Sequence, residues 1–387
     1  MELEIVFSIL MVSLPFIALI NKNFLPFFFV LLVGANPYVS ASALLLSLIF
    51  RLKNVIKVDI DKRLFALFFI WFFYSLLLGF INYNDAFIPE LIQLLIGIML
   101  VLYVDNFINN KKKFYKNITY LLYSGVVLCF FEIVLYFYDL KIITSAFIDF
   151  NSNNYTSFYL LISTVIVPLF LMKNNKFFFV FSILGVFVIY LNDSRANLIV
   201  ALILIIREFI SFKSYLVKFL IVCILGYIFY FFYNTFDSSM VYDSKSIYSV
   251  ANFENNFSNL ERIDLITYSI NLFNENILGY GLGSSFEIFV NNNFTANSHY
   301  PHPHNTLAFL SVEIGFVGVF VYFLFFYNMV KNYIKIENYG IRRLIVNITI
   351  SLFAFSIVDV IFYNGILMLF SFILFGFSLV ASKISFR

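Results

Sequence analysis

Charge is what this chain has least of. Asp, Glu, Lys and Arg make up 12% of its 387 residues, against 62% hydrophobic residues and a mean hydropathy of +0.92. A soluble domain is about a quarter charged, so a soluble enzyme or a nucleic-acid binder is excluded. Cysteine is nearly absent too. The two present, Cys129 and Cys223, lie in apolar runs, which excludes a disulfide framework and a thiolate metal cluster. Histidine occurs only at 299, 302 and 304, so imidazole chemistry has one place in the chain to occur. The first segment carries Glu2 and Glu4, no basic residue and no small-residue cleavage site, so it is expected to be a retained span rather than a cleavable signal peptide. No internal repeat is visible. The 55 Phe and 26 Tyr supply apolar bulk.

What the chain does have is long apolar runs. A membrane helix needs about 20 mainly apolar residues, and on that rule about twelve segments qualify. Their approximate cores are 3–20, 26–50, 64–81, 87–103, 118–138, 155–172, 176–191, 196–210, 216–234, 304–328, 343–359 and 364–381. The expected fold is an all-α polytopic membrane protein, a single transmembrane domain over 1–387. The second segment holds Asn36-Pro37 and is expected to bend there. The last two are separated only by Asp359 to Tyr363.

Lys and Arg fall on alternate links: 51–63, 104–117, Lys173 and Lys176, 207–218, 331–343, and Lys383 with Arg387. The links between them are poor in both. The positive-inside rule then places the N- and C-termini in the cytoplasm. It also makes 235–303 one large extracytoplasmic loop. That loop is rich in Asn, Ser, Tyr and acids, and it is too short and polar for an independent domain with a large core.

Part of the loop should be helical. Ser258-Asn259-Leu260-Glu261 is a capping box, and Leu260, Ile263, Ile266, Ile270 and Phe273 follow at helical spacing. An amphipathic helix on the membrane surface fits this pattern. It should end at Asn276, where Gly279-Tyr280-Gly281-Leu282-Gly283 reads as a tight turn. A dinucleotide site would need a preceding strand and a helix start immediately after the glycines, and neither is there.

The histidines sit where a polar, Pro-broken loop enters an apolar helix. On that helix His304, Ala308, Ser311, Gly315 and Gly318 share one face, a His above a stripe of small residues that allows close helix approach. His302-Pro303-His304 offers a metal two ligands at most, with no Cys on this side. A general base at His304 needs only a neutral imidazole, which nearby cations favour, and a hydroxyl within reach. Arg195 opens a span on the side where cations are scarce. It is either a local partner of Asp193 or an anion site, since guanidinium matches phosphate oxygens bidentately. Arg262, between Glu261 and Asp264, is either a solvated surface residue or a second such site. Glu132 and Glu313 lie within apolar segments, where acids are costly. Glu313 points away from the His304 face and reads as an interhelical hydrogen-bonding residue; Glu132 has no assigned role.

Three blocks in this order resemble the O-antigen ligase and polymerase superfamily, Wzy and WaaL. They are Ser194-Arg195-Ala196 at the start of a span, Arg262 followed by Asn276-Ile277-Leu278-Gly279-Tyr280-Gly281-Leu282-Gly283, and His304-Asn305 with Leu307, Gly315 and Gly318. They cover about the second half of the chain, while the first half is similar only in being multispan. Where the family usually carries an aromatic between the arginine and the glycine turn, often Trp, this chain has Tyr268 or Phe273.

The resemblance implies a glycosyltransferase without a nucleotide sugar, cofactor or required metal. The implied donor is a glycan on undecaprenyl pyrophosphate, held at the periplasmic or outer face of a bacterial plasma membrane. Arg195 and Arg262 would hold the pyrophosphate, His304 would take the acceptor proton, and His302 and Asn305 would orient substrate. Membrane lipid, a chain-length regulator and a flippase are the implied partners. A polymerase would transfer to another lipid-linked repeat unit and a ligase to the lipid A core. The Phe-, Asn- and Lys-rich composition, similar to that of surface-polysaccharide clusters, favours the polymerase. A transporter or flippase is the rival of another class, and would place its ionisable residues at the membrane midplane or in a central cavity.

Overall fold

The computed structural model describes residues 62–84, 86–137, 153–172, 177–192, 194–211, 257–291, 303–362 and 365–384. The expected spans at 3–20, 26–50 and 216–234, the bend at Pro37, Asp193, His299, His302 and the capping-box side chains of 258–261 lie outside the described residues.

Every regular element among the described residues is helical. In chain order these are α1 Lys62–Ile81, α2 Phe87–Phe107 and α3 Lys111–Phe137. Helix α4 starts as Asn153–Leu160, passes through a π-helical stretch Leu161–Ile166 and finishes as Val167–Leu171. Then come α5 Phe178–Leu191, α6 Arg195–Ser211, α7 Phe257–Glu275 and α8 Ser284–Asn291. The last four are α9 Thr306–Glu313, α10 Gly315–Ile334, α11 Tyr339–Val358 and α12 Gly365–Ile384. Five stretches are long and apolar enough to cross a membrane: Phe87–Phe107, Asn154–Leu171, Gly315–Ile334, Tyr339–Val358 and Leu367–Ile384. Ala66–Ile81 and Phe178–Leu191 are shorter apolar helices.

Helix α4 is the centre of one half of the bundle. It is buried along nearly its whole length, with α3, α5, α6 and α11 packed around it. Two glycines allow the close approach. A Cβ at Gly125 of α3 would stand 2.2 Å from Ser163 Oγ, and one at Gly185 of α5 would stand 2.1 Å from Thr164 Oγ1. Inside α4 the hydroxyls of Ser163 and Thr164 donate back to the carbonyls of Tyr159 and Leu160 at 2.8 and 2.7 Å.

The other half is built on α2 against α12, with α1 and α10 alongside. Aromatic rings interlock there. Trp71 meets Phe362 edge-on at 5.1 Å, and Phe325 stacks on Phe375 at 4.7 Å. Such pairs add about 0.5–1.5 kcal/mol each beyond the area they bury.

One expected span is two helices. The segment 304–328 breaks between Glu313 and Gly315, where Ile314 leaves the helical region and Gly315 adopts φ 59°. The freed backbone groups find partners in the glycine turn. Tyr280 N–H donates to Val312 O at 2.9 Å, Gly281 N–H to Glu313 O at 2.8 Å, and Phe316 N–H to Ile277 O at 2.9 Å. The small-residue face that starts at His304 therefore runs unbroken only through Ser311. The split expected at 359–363 is present: Asp359 is extended, with φ −156° and ψ 175°, and α12 begins afresh at Gly365.

Candidate active site

His304 is placed by the start of α9. Asn305 is the N-cap, with extended backbone, and its Oδ1 accepts from Ala308 N–H at 2.9 Å. Its Nδ2 donates to Ile357 O at 2.9 Å. Both ends of the Asn305 amide thus pin the start of α9 to the end of α11. Thr306 adds a second strap: its Oγ1 donates to Asp359 O at 2.9 Å and accepts from Ile361 N–H at 3.0 Å.

The residue these straps bring beside the histidine is Asp359. His304 Nδ1 lies 3.7 Å from Asp359 Oδ1, with the imidazole 26% exposed and the carboxylate 2% exposed. The carboxylate accepts from Val360 N–H at 2.9 Å, from Asn154 Nδ2 at 3.2 Å and from Tyr155 Oη at 3.5 Å. Asn154 carries the network on. Its Oδ1 accepts from Ser194 Oγ at 2.9 Å, and its backbone carbonyl accepts from Asn197 Nδ2 at 3.1 Å. Asn197 also donates to Ser194 Oγ at 2.8 Å. The next residue after Ser194 is Arg195, the half-buried first residue of α6. A hydrogen-bonded chain thus runs from Asp359 through Asn154 to Ser194, next to Arg195, and His304 stands at ion-pair distance from its near end. The Glu132 carboxyl faces the Asn192 amide at this same end of the bundle.

Arg262 lies on α7, three residues before Leu265. Leu265 and Leu272 share a small core with Phe289 of α8 and Val312 of α9, and Tyr268 stands edge-on to Phe289 at 5.5 Å. The apolar positions that the spacing marks behave differently: Ile263 and Ile270 are exposed, and Ile266 and Phe273 are half-buried. Arg262 is half-buried, and its Nε has no hydrogen-bond partner among the described residues. Burial, with Glu275 nearby, pushes the Tyr268 and Tyr280 phenols up, and Tyr280 Oη donates to Leu272 O at 3.4 Å.

The glycine motif is a turn that serves as a backbone docking surface. Gly279, Gly281 and Gly283 have φ of 93°, 100° and 77°. A Cβ at Gly279 would meet Gly315 N at 2.6 Å, and one at Gly315 would meet Ile277 O at 2.2 Å. Only residues without a side chain allow this contact. Glu313 completes the joint as the interhelical residue expected. It is fully buried, and its Oε1 accepts from Ser285 Oγ at 2.7 Å and from Ser285 N–H at 3.3 Å. The carboxyl of Glu90, in the first turn of α2, faces it. Asn84 ties the α1–α2 link to the same place, donating to Leu282 O at 2.7 Å.

Sequence reasoning passed over Asp359, Asn154 and Glu90. In the sequence Asp359 marks the break between two spans, and an acid isolated between two long apolar runs is itself a signal. Asn154 looked like any polar residue of an Asn-rich link. Among the described residues no group of three or more His, Cys, Asp or Glu is placed to hold a metal.

No curated protein matches the chain. A family model described as O-antigen ligase matches residues 177–323, the stretch that contains Arg195, Arg262, the glycine turn and His304, and the sequence is thereby consistent with the Wzy and WaaL superfamily.

Proposed function

We propose that this protein is a polymerase of a cell-surface polysaccharide, an O-antigen or a capsule. It transfers a growing glycan from undecaprenyl pyrophosphate to a hydroxyl of another lipid-linked repeat unit, at the outer face of the plasma membrane. The observation that carries this reading is the polar chain from His304 through Asp359 and Asn154 to Ser194, next to Arg195. A base and a cation come to one end of the bundle, as glycosyl transfer from a lipid pyrophosphate requires.

In the proposed reaction the acceptor hydroxyl gives its proton to His304. Its oxygen bonds to the anomeric carbon of the donor glycan, which inverts. The bond from that carbon to the pyrophosphate oxygen breaks, and the electron pair leaves with undecaprenyl pyrophosphate. Arg195 and Arg262 hold the pyrophosphate and stabilise the charge that grows on it. Helices α7 and α9 pack together and are joined at their C-terminal ends through the glycine turn. Their N-terminal ends, with Arg262 and His304, extend from that junction, and the unpartnered Nε of Arg262 suits an anion. His302 and Asn305 keep a part in orienting substrate, Asn305 through the position it gives its neighbour. A chain-length regulator and a flippase are the partners such an enzyme would work with.

Ligation is the second reading, favoured by the description of the matching family. One substitution separates the two. His304→Ala, checked for normal membrane insertion, should abolish the glycan ladder on gels. Loss of a polymerase leaves lipid A core with a single repeat unit, and loss of a ligase leaves bare core. A normal ladder would refute His304 as the base and bring the transporter reading forward.

A further inference from the structure

We infer that the end of the bundle opposite His304 carries a binding site for the phosphate of an anionic phospholipid, built where α6 and α11 bring Arg207 and Arg343 together over Glu208. The inference goes beyond the proposed function and does not depend on His304 being the base.

The charges at this corner do not balance. Glu208 of α6 is buried, and two guanidinium groups meet its Oε1: Arg343 of α11 in direct contact and Arg207 at 3.4 Å. Arg343 alone neutralises the carboxylate. Arg207 is then a surplus cation beside a like charge, a placement that costs energy unless an anion answers it. It is held there all the same. Asn347 of α11, one turn from Arg343 and buried, accepts from Arg207 Nη2 at 3.1 Å. Glu208 takes the same nitrogen, so among the described residues Nη1 and Nε of Arg207 meet no acceptor. The side chain is 44% exposed. A guanidinium fixed at one corner, with donors to spare and open to the outside, suits the oxygens of a phosphate.

The surroundings favour a lipid over a soluble anion. On α6, Ile199, Ile203 and Ile206 form an exposed stripe, and Arg207 follows Ile203 by one turn. On α11, Ile350, Phe353 and Ile357 are exposed in the direction away from Arg343 along the helix. Apolar stripes of this kind suit acyl chains, and each runs toward an arginine. A lipid lying along them brings its headgroup to the pair. Basic positions between helices at a membrane face are where acidic headgroups bind. Helix α6 begins at Arg195 and α11 ends at Asp359. A phosphate that ties the two helices together here therefore steadies both of the helices that frame the candidate site.

The test uses the full-length protein purified in a nonionic detergent. Phosphatidylglycerol, phosphatidylcholine with the same acyl chains, and inorganic phosphate are titrated separately. Lipid binding is read by native mass spectrometry, and the thermal unfolding midpoint is followed for all three. Phosphatidylglycerol should bind at least about fivefold more tightly than phosphatidylcholine and raise the midpoint by several degrees, the difference being one phosphate charge left to pair. Inorganic phosphate at the same concentration should leave the midpoint in place. Arg207→Gln keeps the Glu208–Arg343 pair and should weaken phosphatidylglycerol binding about tenfold, the loss of one charge-assisted contact. Lys112→Gln removes a cation at the start of α3, at the same end of the bundle, and should bind like the wild type. If Arg207→Gln does not fold, Arg207→Lys takes its place, because it keeps the charge and loses the fork; it should weaken binding at least about threefold. Equal affinity for the two lipids overturns the inference, as does an Arg207 variant that binds no more weakly than Lys112→Gln. A midpoint raised as far by inorganic phosphate would make the ligand a soluble anion and overturn it equally. The glycan ladder has no bearing on any of these outcomes, so loss of the proposed function would leave this site standing.

Discussion

Arg195 shows how a single residue can be tested for chemistry apart from charge. Lys at that position would keep one positive charge but lose the planar fork that meets two phosphate oxygens at once. Arg195→Lys should therefore lower glycan polymerisation about tenfold or more, the effect of one strong charge-assisted contact. Ladder intensity at matched protein levels measures it. Full activity would mean that Arg195 serves only its local surroundings. The same residue marks what was legible in the sequence. A cation at the end of a span that the charge pattern expects to face outward breaks the charge rule, and that anomaly is visible in one dimension. Its link to the corner beside the histidine is not, because it runs through Asn154 and Asp359, each an ordinary polar residue until α4 and α11 place them together. Asn305 adds a structural part that the sequence does not display: its amide caps α9 and holds the end of α11.

Among the elements, the joint between the glycine turn and the α9–α10 break has the sharpest requirement. Gly315 sits at φ 59°, and an added Cβ would lie 2.2 Å from Ile277 O. Gly315→Ala should cost at least about 1–2 kcal/mol from backbone conformation alone, before the clash is counted. Thermal inactivation in detergent should occur several degrees lower than in the wild type. An unchanged midpoint would show that the joint is looser than described. Sequence periodicity could not find this break, since the apolar pattern runs through it and Gly315 fits a small-residue face. The signal lay instead in pairing two glycine motifs, each unremarkable alone, that meet backbone to backbone. The extent of α7 was legible, with its expected end at Asn276 against Glu275 in the structure, because apolar spacing and the glycine stop agree. Which of its faces would pack was not, since two apolar stripes compete and the partner residues of α8 and α9 decide.

At the scale of the whole molecule, the polar residues sort to two ends. His304, Asp359, Asn154, Ser194 and the glycine turn gather at one. At the other, buried Glu208 pairs with Arg343 and Arg207, and Lys383 pairs with Asp105 at 2.6 Å. The alternate placement of Lys and Arg in the sequence anticipates this sorting, and it is what the proposed orientation rests on. Single cysteines test it in the Cys129→Ala, Cys223→Ala background. Tyr83→Cys, on the exposed α1–α2 link, should react with an impermeant thiol reagent in intact cells. Lys112→Cys, at the start of α3, should react only after the membrane is opened. The opposite pattern would invert the topology and put the proposed site on the wrong face for its donor. The polar chain beside the imidazole has a consequence for descent. The carboxylate, amide and hydroxyl near it come from the ends of bundle helices, whereas Arg262 belongs to α7, in the segment expected to form the large loop. On the proposed function, the proton acceptor and part of the anion site would be inherited on separate stretches of polypeptide, and the segment of α7 could diverge while the reaction stayed the same.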